Sequence, residues 1–332
     1  MKKTIKVGIN GFGRIGRNVL RLLHNHPSIQ VVAVNDLADA KTMAHLLKYD
    51  SIHGVLNESI SHSDTEIRIG NKSIRYSTEQ KIENIPWGDV DIVIESTGKF
   101  KTRKELQQHL KFGVKKVILA APPADDLIKT IVLGVNDHIL EPGDTIISNA
   151  SCTTNNAAPM LKIINELCGI AQAYITTVHS YTTDQSLHDR PHRDLRRARA
   201  AGQSIVPTTT GAAKALTKIF PELASVIGGC GIRVPVPNGS LTDITVNVKR
   251  EVTIEKVNNA FKTAGETSLK GILQYTEDPI VSIDIVGNTH SCVFDAEMTS
   301  VIGKMVKIIG WYDNEIGYSS RIIDLIVRIS TK

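Results

Sequence analysis

A glycine-rich turn between a predicted strand and a predicted helix constrains the fold more than any other feature. Gly11, Gly13 and Gly16 stand in the order G-x-G-x-x-G directly after the apolar segment Ile5–Asn10. The next residues, Arg14–His24, repeat apolar side chains at helical spacing. In such a unit the first glycine permits a tight turn, the second lets a phosphate approach the backbone, and the third lets helix and strand pack closely. The turn therefore predicts a dinucleotide site at the helix N-terminus.

An acidic residue after the next predicted strand refines this prediction. Asp36 follows the apolar segment Gln30–Asn35 and stands 20 residues after Gly16. A carboxylate there can accept hydrogen bonds from both hydroxyls of an adenosine ribose, and it repels a 2′-phosphate. The coenzyme is therefore predicted to be NAD rather than NADP.

The first half of the chain alternates short apolar strands with helices. Its later predicted strands are Val90–Glu95, Lys116–Ala120 and Thr145–Ser148. Nearly continuous apolar strands between helices are typical of a parallel sheet covered on both faces. The fold class is therefore predicted to be α/β, with a Rossmann doubly wound parallel sheet.

After about residue 150 the predicted strands become longer and the pattern changes. These strands are Tyr174–His179, Thr242–Lys249 and Ser291–Asp295. A long segment, Tyr181–Thr209, is rich in Arg, His and Pro, and such a loop is more often functional than idle. We predict an NAD-binding domain over residues 1–151 plus 315–332 and a catalytic α+β domain, with a mostly antiparallel sheet, over 152–314. The amphipathic helix Arg321–Ile329 is expected to pack back on the first domain.

Composition excludes several classes of protein. Hydrophobic residues make up 41% and charged residues 22%, as in ordinary globular proteins, and there is no apolar run that could cross a membrane. Four well-separated cysteines without C-x-x-C, and no secretory signal, predict a cytoplasmic protein with reduced thiols. His188 and His192 are four apart, but Pro191 between them argues against a helical metal pair, so no metal is predicted. The net charge of +5 alone does not establish an anion site.

Cys152 is a candidate nucleophile because of its position. The segment S-C-T-T-N follows a predicted strand and precedes the predicted helix Asn155–Cys168, so the helix dipole is expected to lower the thiol pKa. The alternative is a buried structural cysteine, against which the neighbouring hydroxyls argue. His179, at a strand end beside a polar loop, is the candidate base, although composition does not select it among 11 histidines.

Six motifs in order carry a family resemblance. They are G-F-G-R-I-G, S-C-T-T-N, H-S-Y-T, D-L-R-R-A-R-A-A, P-T-T-T-G-A-A-K-A and W-Y-D-N-E-x-G-Y-S. From Val7 to Arg328 the chain resembles the phosphorylating glyceraldehyde-3-phosphate dehydrogenases. The resemblance implies that Cys152 attacks glyceraldehyde 3-phosphate, that His179 accepts the proton, and that NAD takes the hydride. Inorganic phosphate then releases the thioester as 1,3-bisphosphoglycerate, a reaction of glycolysis and gluconeogenesis.

The resemblance also implies binding residues and an assembly. Thr182 and Arg233 correspond to the site for the substrate's phosphate. The attacking phosphate corresponds to Ser151, Thr153, Thr210 and Gly211. Coenzyme contacts correspond to Phe12, Gly13, Arg14 and Ile15 at the pyrophosphate and Asn314 at the nicotinamide carboxamide. The loop Asp189–Ala201 resembles one that reaches a neighbouring subunit's coenzyme, which implies a homotetramer, and Pro191 in it is typical of NAD-using members.

Four positions depart from the family pattern. Asn156 stands where many members have a second cysteine, Gln80 where an arginine near the adenine is common, and Ala120 where a serine or threonine often contacts the coenzyme. Ile316 replaces a common tryptophan. The changes at Gln80 and Ala120 put coenzyme contacts at those positions in doubt.

Two other functions stay open. Erythrose-4-phosphate dehydrogenase, a sister family, shares the cysteine and histidine but typically lacks the T-T-T-G-A-A-K stretch, which is intact at Thr208–Lys214. The basic run Arg193–Arg199 could suggest a nucleic-acid or surface-binding role, yet no stacking aromatics accompany it. Nucleic acid is therefore not an indicated partner.

Overall fold

The computed structural model describes residues 4–330, whose contacts divide into two compact units. The first unit comprises the described residues within Met1–Ile131, Ile139–Ala150 and Ser319–Lys332, and the second comprises Val132–His138 and Ser151–Tyr318. The contacts group residues 132–138 and 315–318 with the second unit, a division that differs in detail from the predicted boundaries.

The first unit is built on a nine-stranded sheet. In chain order its elements are β1 (Ile5–Asn10), α1 (Arg14–Leu23), β2 (Ile29–Asn35), α2 (Ala40–Lys48), β3 (Tyr49–Asp50), β4 (Gly54–Val55), β5 (Ile60–Ser63), β6 (Glu66–Ile69), β7 (Lys72–Ser77), β8 (Ile92–Glu95), α3 (Arg103–Leu106), β9 (Lys116–Leu119), β10 (Lys129–Thr130) and β11 (Ile146–Ser148). The strand order is β10-β11-β9-β8-β1-β2-β7-β6-β5. Pairs from β10 to β7 are parallel, whereas β7–β6–β5 is antiparallel. The predicted doubly wound parallel sheet is confirmed, with an added antiparallel edge.

The apolar strands bury their side chains on both faces of this sheet, as a covered parallel sheet requires. Val93 and Val117 are fully buried in one core cluster that also contains Trp87. Gly8 in β1 makes room for that tryptophan, because a Cβ at Gly8 would lie 2.6 Å from Trp87 Cζ3. The central strands are thus held by close packing, and their carboxyl ends are available for polar side chains.

The second unit is built on a seven-stranded sheet. Its elements are α4 (Cys152–Cys168), β12 (Ile170–Ser180), β13 (Val206–Thr208), α5 (Ala212–Ile219), β14 (Ile227–Val234), β15 (Ser240–Val248), α6 (Ile254–Glu266), β16 (Leu273–Thr276), β17 (Cys292–Ile302) and β18 (Met305–Tyr312), followed by the C-terminal helix α7 (Ile316–Ser330). The strand order is β13-β14-β12-β15-β18-β17-β16. Only β12–β14 and β16–β17 pair in parallel, so the mostly antiparallel sheet is confirmed.

Helix α4 begins three residues earlier than the sequence pattern indicated, at Cys152 rather than Asn155. Ser151 caps it, since its side chain accepts a hydrogen bond from Thr154 N at 3.1 Å. The polar first turn has no apolar periodicity, so periodicity alone could not locate this start. Further along the helix, Met160 packs over Gly310 of β18, where a Cβ would lie 2.7 Å from Met160 Sδ.

Across residues 4–330, no helix combines the length and the apolar character needed to cross a membrane.

Candidate active site

The structure brings the two predicted catalytic residues together. Cys152 is the first residue of α4, and His179 lies near the carboxyl end of β12. Cys152 Sγ lies 3.4 Å from His179 Nε2, which is hydrogen-bond distance for a thiol. Two residues that are 27 positions apart in the sequence therefore lie in contact, as proton transfer between a nucleophile and its base requires.

The other ring nitrogen of His179, Nδ1, lies beside both an acceptor and a donor, and its protonation decides the role of Nε2. His179 Nδ1 lies 2.7 Å from Ser180 O, which can only accept, so this contact is a hydrogen bond when Nδ1 carries the proton. Arg233 Nη1 donates to the same oxygen at 3.0 Å and lies 2.6 Å from Nδ1. With the proton on Nδ1, the lone pair of Nε2 faces the thiol.

Burial and a neighbouring cation keep His179 neutral. Burial, first, and the charge of Arg233, second, lower the pKa of His179 to about 3. The bond to Ser180 O opposes this shift. The imidazole is consequently unprotonated at neutral pH and can act as a base.

The predicted lowering of the Cys152 pKa is wrong. Burial raises the pKa of the thiol, and the Arg233 charge and hydrogen bonds from Thr153 offset this only in part. Protein atoms surround the sulfur, although Cys152 retains some solvent exposure. The helix start supplies a favourable dipole, but desolvation outweighs it. The thiol is therefore protonated at rest and depends on His179 to remove its proton.

Arg233 occupies its place through strand register. His179 and Arg233 are paired positions on the parallel strands β12 and β14. Arg233 is half-buried, and its guanidinium contacts His179 Nδ1 and Ser180 O. A half-buried planar cation is suited to bind a phosphate or carboxylate.

The remaining predicted anion-binding residues lie on three segments of the second unit. Thr153, in the first turn of α4, contacts Tyr312 Oη through its hydroxyl at 2.9 Å. Thr210 Oγ1 accepts from Ala212 N at the start of α5, next to Gly211. Thr182 O accepts from Gln185 N in the following loop. Ser151 Oγ lies 2.7 Å from Thr154 Oγ1, so two helix starts and one loop supply donors.

Arg197 is a further cation whose charge acts on the pair, although sequence reasoning left it in a solvated basic run. Its guanidinium donates to Thr208 Oγ1 at 2.9 Å and pairs with Asp184 at 2.7 Å. Its charge lowers the pKa of both His179 and Arg233. The loop of residues 181–209 thus places one cation where its charge acts on His179. The basic run Arg193–Arg199 alone could not indicate this.

In the first unit, a cleft of about 280 Å³ lies at the carboxyl ends of the central strands. Its lining residues are Asn10, Gly11, Gly13, Asn35, Asp36, Leu37, Glu79, Gln80, Ser96, Thr97, Lys99 and Phe100. Asp36 Oδ2 accepts from Phe12 N at 2.6 Å and Oδ1 from Ala38 N at 3.1 Å, which orients the carboxylate. A Cβ at Gly13 would meet no atom within 4 Å, so the space above this glycine is open. A dinucleotide fits this donor set and this open backbone.

The side chain of Arg14 is not directed at a ligand. Arg14 Nη1 lies 2.5 Å from Asp50 Oδ2 and Nη2 lies 3.1 Å from Oδ1, a bidentate ion pair with a buried carboxylate. This ion pair lowers the pKa of Asp50 to about 2 against the effect of burial. The predicted pyrophosphate contact of Arg14 would therefore come from its backbone, as would that of Ile15 beside it.

A buried polar network supports the floor of the cleft, and sequence reasoning missed it. Asn10 Nδ2 donates to Glu95 Oε2 at 2.6 Å, and Asn35 Nδ2 donates to Asn10 Oδ1 at 2.9 Å. Thr97 N and His109 Nε2 donate to the same Glu95 carboxylate, at 2.9 and 3.2 Å. Asparagines at the ends of two predicted parallel strands were a signal for part of it.

Comparisons with known proteins agree along the whole chain. The family model "Glyceraldehyde 3-phosphate dehydrogenase, NAD binding domain" matches residues 5–103, and "Glyceraldehyde 3-phosphate dehydrogenase, C-terminal domain" matches residues 151–314. The chain is 54% identical to glyceraldehyde-3-phosphate dehydrogenase 2 of Streptomyces avermitilis over 334 residues, with 99% of each chain covered. It is 53% identical to glyceraldehyde-3-phosphate dehydrogenase of Geobacillus stearothermophilus and 51% identical to glyceraldehyde-3-phosphate dehydrogenase 1 of Bacillus subtilis, again with 99% of each chain covered. The chain therefore belongs to the glyceraldehyde-3-phosphate dehydrogenase family.

Proposed function

We propose that the protein oxidises glyceraldehyde 3-phosphate, with NAD and inorganic phosphate, to 1,3-bisphosphoglycerate through a thioester on Cys152. The observation that carries this proposal is the 3.4 Å contact between Cys152 Sγ and the neutral imidazole of His179, with Arg233 beside both. The family models and the names of the relatives support the same activity.

The proposed reaction has three steps: formation of a hemithioacetal, its oxidation to a thioester, and release of the thioester to phosphate. Sγ attacks the aldehyde carbon as His179 Nε2 takes the thiol proton, which then passes to the carbonyl oxygen and gives a hemithioacetal. His179 next takes the hydroxyl proton while the C–H bond breaks. NAD, when bound, supplies the oxidising chemistry by accepting that hydride. A phosphate oxygen finally attacks the thioester carbon, the C–S bond breaks, and Sγ takes the proton that His179 holds from the previous step.

The charges around the pair suit both anions. Arg233 and Thr182 would bind the substrate's phosphate, since a half-buried guanidinium is a strong phosphate donor. Ser151, Thr153, Thr210 and Gly211 would bind the attacking phosphate. That second group lies at the starts of α4 and α5, where free N–H groups and the helix dipole favour an anion. We add Arg197 to this group because its charge acts on His179 and Arg233.

The first unit would hold the coenzyme. Asp36 would accept from the ribose hydroxyls, and the backbone from Gly11 to Gly16 would face the pyrophosphate. The oriented carboxylate of Asp36 and the open space above Gly13 support this assignment. Asn314 would bind the nicotinamide carboxamide. Gln80 lines the cleft, so its side chain would stand near the coenzyme although it lacks an arginine's charge.

We also propose a cytoplasmic homotetramer. The loop of residues 181–209 exposes three large apolar side chains, Leu187, Leu195 and Ile205, at 76%, 82% and 68%. Apolar groups this exposed within one loop are a common feature of subunit contacts. The relatives' full-length similarity is consistent with a shared assembly.

The deciding experiment is NADH formation from glyceraldehyde 3-phosphate with and without inorganic phosphate, with NADP in a parallel assay. We expect turnover that requires phosphate and prefers NAD. Faster, phosphate-independent turnover of erythrose 4-phosphate would instead favour the sister activity, against which the intact Thr208–Lys214 segment argues.

A further inference from the structure

Ser180 contacts two parts of the site through two different groups. Its carbonyl oxygen accepts from His179 Nδ1 at 2.7 Å and from Arg233 Nη1 at 3.0 Å. Its hydroxyl lies 2.8 Å from Asn314 Oδ1. Ser180 is fully buried at the carboxyl end of β12, so neither contact competes with bulk water. One residue therefore joins the base to the asparagine that is proposed to bind the nicotinamide.

A second buried hydroxyl completes the arrangement. Ser240, at the start of β15, lies 2.9 Å from Asn314 Oδ1 through its Oγ. The same Oγ accepts from the backbone N–H of Ser180 at 3.1 Å, which leaves its own proton to be donated. The two hydroxyls lie 3.4 Å apart, a longer contact than either makes with Asn314.

The number of donors and acceptors around the Asn314 amide determines its orientation. With Oδ1 toward the serines, it accepts both hydroxyl protons, and every polar atom of the cluster has a partner. With the amide reversed, Nδ2 of Asn314 would face the serines. Its two protons and the two serine hydroxyl protons would then have only the two hydroxyl oxygens as acceptors. One of these oxygens already accepts from Ser180 N. At least one buried proton would then lack an acceptor in the cluster, which is costly. Oδ1 therefore faces the serines, and Nδ2 is turned away from them.

We propose that Ser180 and Ser240 are positioning residues that hold the Asn314 amide as a hydrogen-bond donor, so that it recognises the carbonyl oxygen of the nicotinamide carboxamide rather than its NH₂ group. The proposal rests on the proposed function, because Asn314 must contact the carboxamide. An asparagine whose amide is free to rotate could bind either end of the carboxamide, donating to its oxygen or accepting from its NH₂ group. The two serine hydroxyls thus restrict Asn314 to the carbonyl oxygen of the carboxamide. The carbonyl group of Ser180 separately holds His179.

Two coenzyme analogues separate the ends of the carboxamide. 3-Acetylpyridine adenine dinucleotide keeps the carbonyl oxygen and lacks the NH₂ group, whereas thionicotinamide adenine dinucleotide keeps the NH₂ group and replaces the oxygen by a weakly accepting sulfur. Dissociation constants are measured for the intact protein from the quenching of tryptophan fluorescence. We expect the wild type to bind the acetylpyridine analogue about as tightly as NAD, and the thio analogue about threefold to tenfold more weakly, the effect of one net hydrogen bond. Equal binding of the thio analogue and NAD by the wild type would overturn the proposal without any variant.

The variants test the serines themselves. Ser180→Ala and Ser240→Ala should narrow the preference for NAD over the thio analogue toward unity, because Asn314 can then rotate. The matched control is Thr242→Val, which removes a buried hydroxyl from the same face of β15; Thr242 Oγ1 has no hydrogen-bond partner among the described residues. The control should keep the wild-type preference. An unchanged preference in both serine variants, or an equal change in the control, would overturn the proposal.

A readout at the cysteine separates the two groups of Ser180. Ser180→Ala keeps the carbonyl, so the pH profile of Cys152 alkylation by iodoacetamide should match that of the wild type. A shifted profile would mean that the hydroxyl acts through His179, contrary to the proposal. Failure of the proposed function is distinguishable, because the wild type would then form no NADH from the substrate.

Discussion

Burial of a neutral His179 predicts a loss of stability in mild acid. The pKa of His179 falls from its usual 6.5 to about 3 in the folded protein, chiefly because of burial and secondly because of Arg233. Above pH 6.5 neither the folded nor the unfolded protein protonates this ring, so it contributes no pH dependence. Below pH 6.5 His179 binds a proton in the unfolded chain but not in the folded protein. The free energy of unfolding therefore decreases with falling pH until the folded pKa is reached.

The size of the effect follows from this interval. Each pKa unit corresponds to about 1.4 kcal/mol, so between pH 8 and pH 5 this one histidine should cost about 2 kcal/mol. Carboxylates with a depressed pKa, such as Asp50 at about 2, stay charged in the folded protein at pH 5. In the folded protein, such carboxylates therefore do not titrate between pH 8 and pH 5, where the histidines of the unfolded chain do.

The assay compares the wild type with His179→Gln in urea unfolding at pH 8 and pH 5. Both proteins carry Trp87→Phe, so fluorescence reports Trp311, which lies in the same unit as His179. The remaining histidines titrate equally in both and cancel in the difference. We expect the glutamine variant to lose about 2 kcal/mol less than the wild type on acidification. An identical loss in the two proteins would refute the neutral-base assignment, since His179 would then be protonated in the folded state.

Three further predictions concern the nucleophile, the coenzyme and the packing. Cys152→Ser should reduce NADH formation by several orders of magnitude while NAD binding persists, as followed by fluorescence titration; full activity would refute the thioester. Asp36→Ala should weaken NAD binding by about tenfold or more and narrow the preference over NADP, because charge-assisted ribose contacts are lost; an unchanged coenzyme ratio would remove Asp36 from its role. Gly310→Ala should destabilise the protein by about 1–3 kcal/mol in urea, because its Cβ would meet Met160, whereas Gly143→Ala, with nothing within 4 Å, should not.

The sequence predicted what local chemistry determines. The turn at Gly11 and the acidic residue at Asp36 were found because tight turns and strand ends impose residue types within a short window. Periodicity also identified five of the strands that pair in parallel in the first unit, but it missed β7 and β10. It missed the true start of α4, because capping by Ser151 depends on one hydrogen bond and leaves no apolar repeat.

Other properties of the site depend on contacts between distant segments. The raised pKa of Cys152 could not be predicted, because the sequence reveals a helix start but not how many atoms cover the sulfur. The same holds for Arg197, whose contacts with Thr208 and Asp184 arise from loop folding. The Glu95 network was hidden because a glutamate that is buried in the fold cannot be distinguished from an ordinary surface glutamate in the sequence alone.

The register between β12 and β14 has a consequence for redesign. Since His179 and Arg233 are opposite one another on adjacent parallel strands, their spacing is set by backbone hydrogen bonds and not by a loop. A designer can replace the residue at position 233 to admit aldehydes that carry no phosphate, while the sheet continues to present the imidazole at the same place. The main chain of β12 thus determines where the imidazole lies, whereas a change at position 233 would alter both the substrate range and the pKa values of His179 and Cys152.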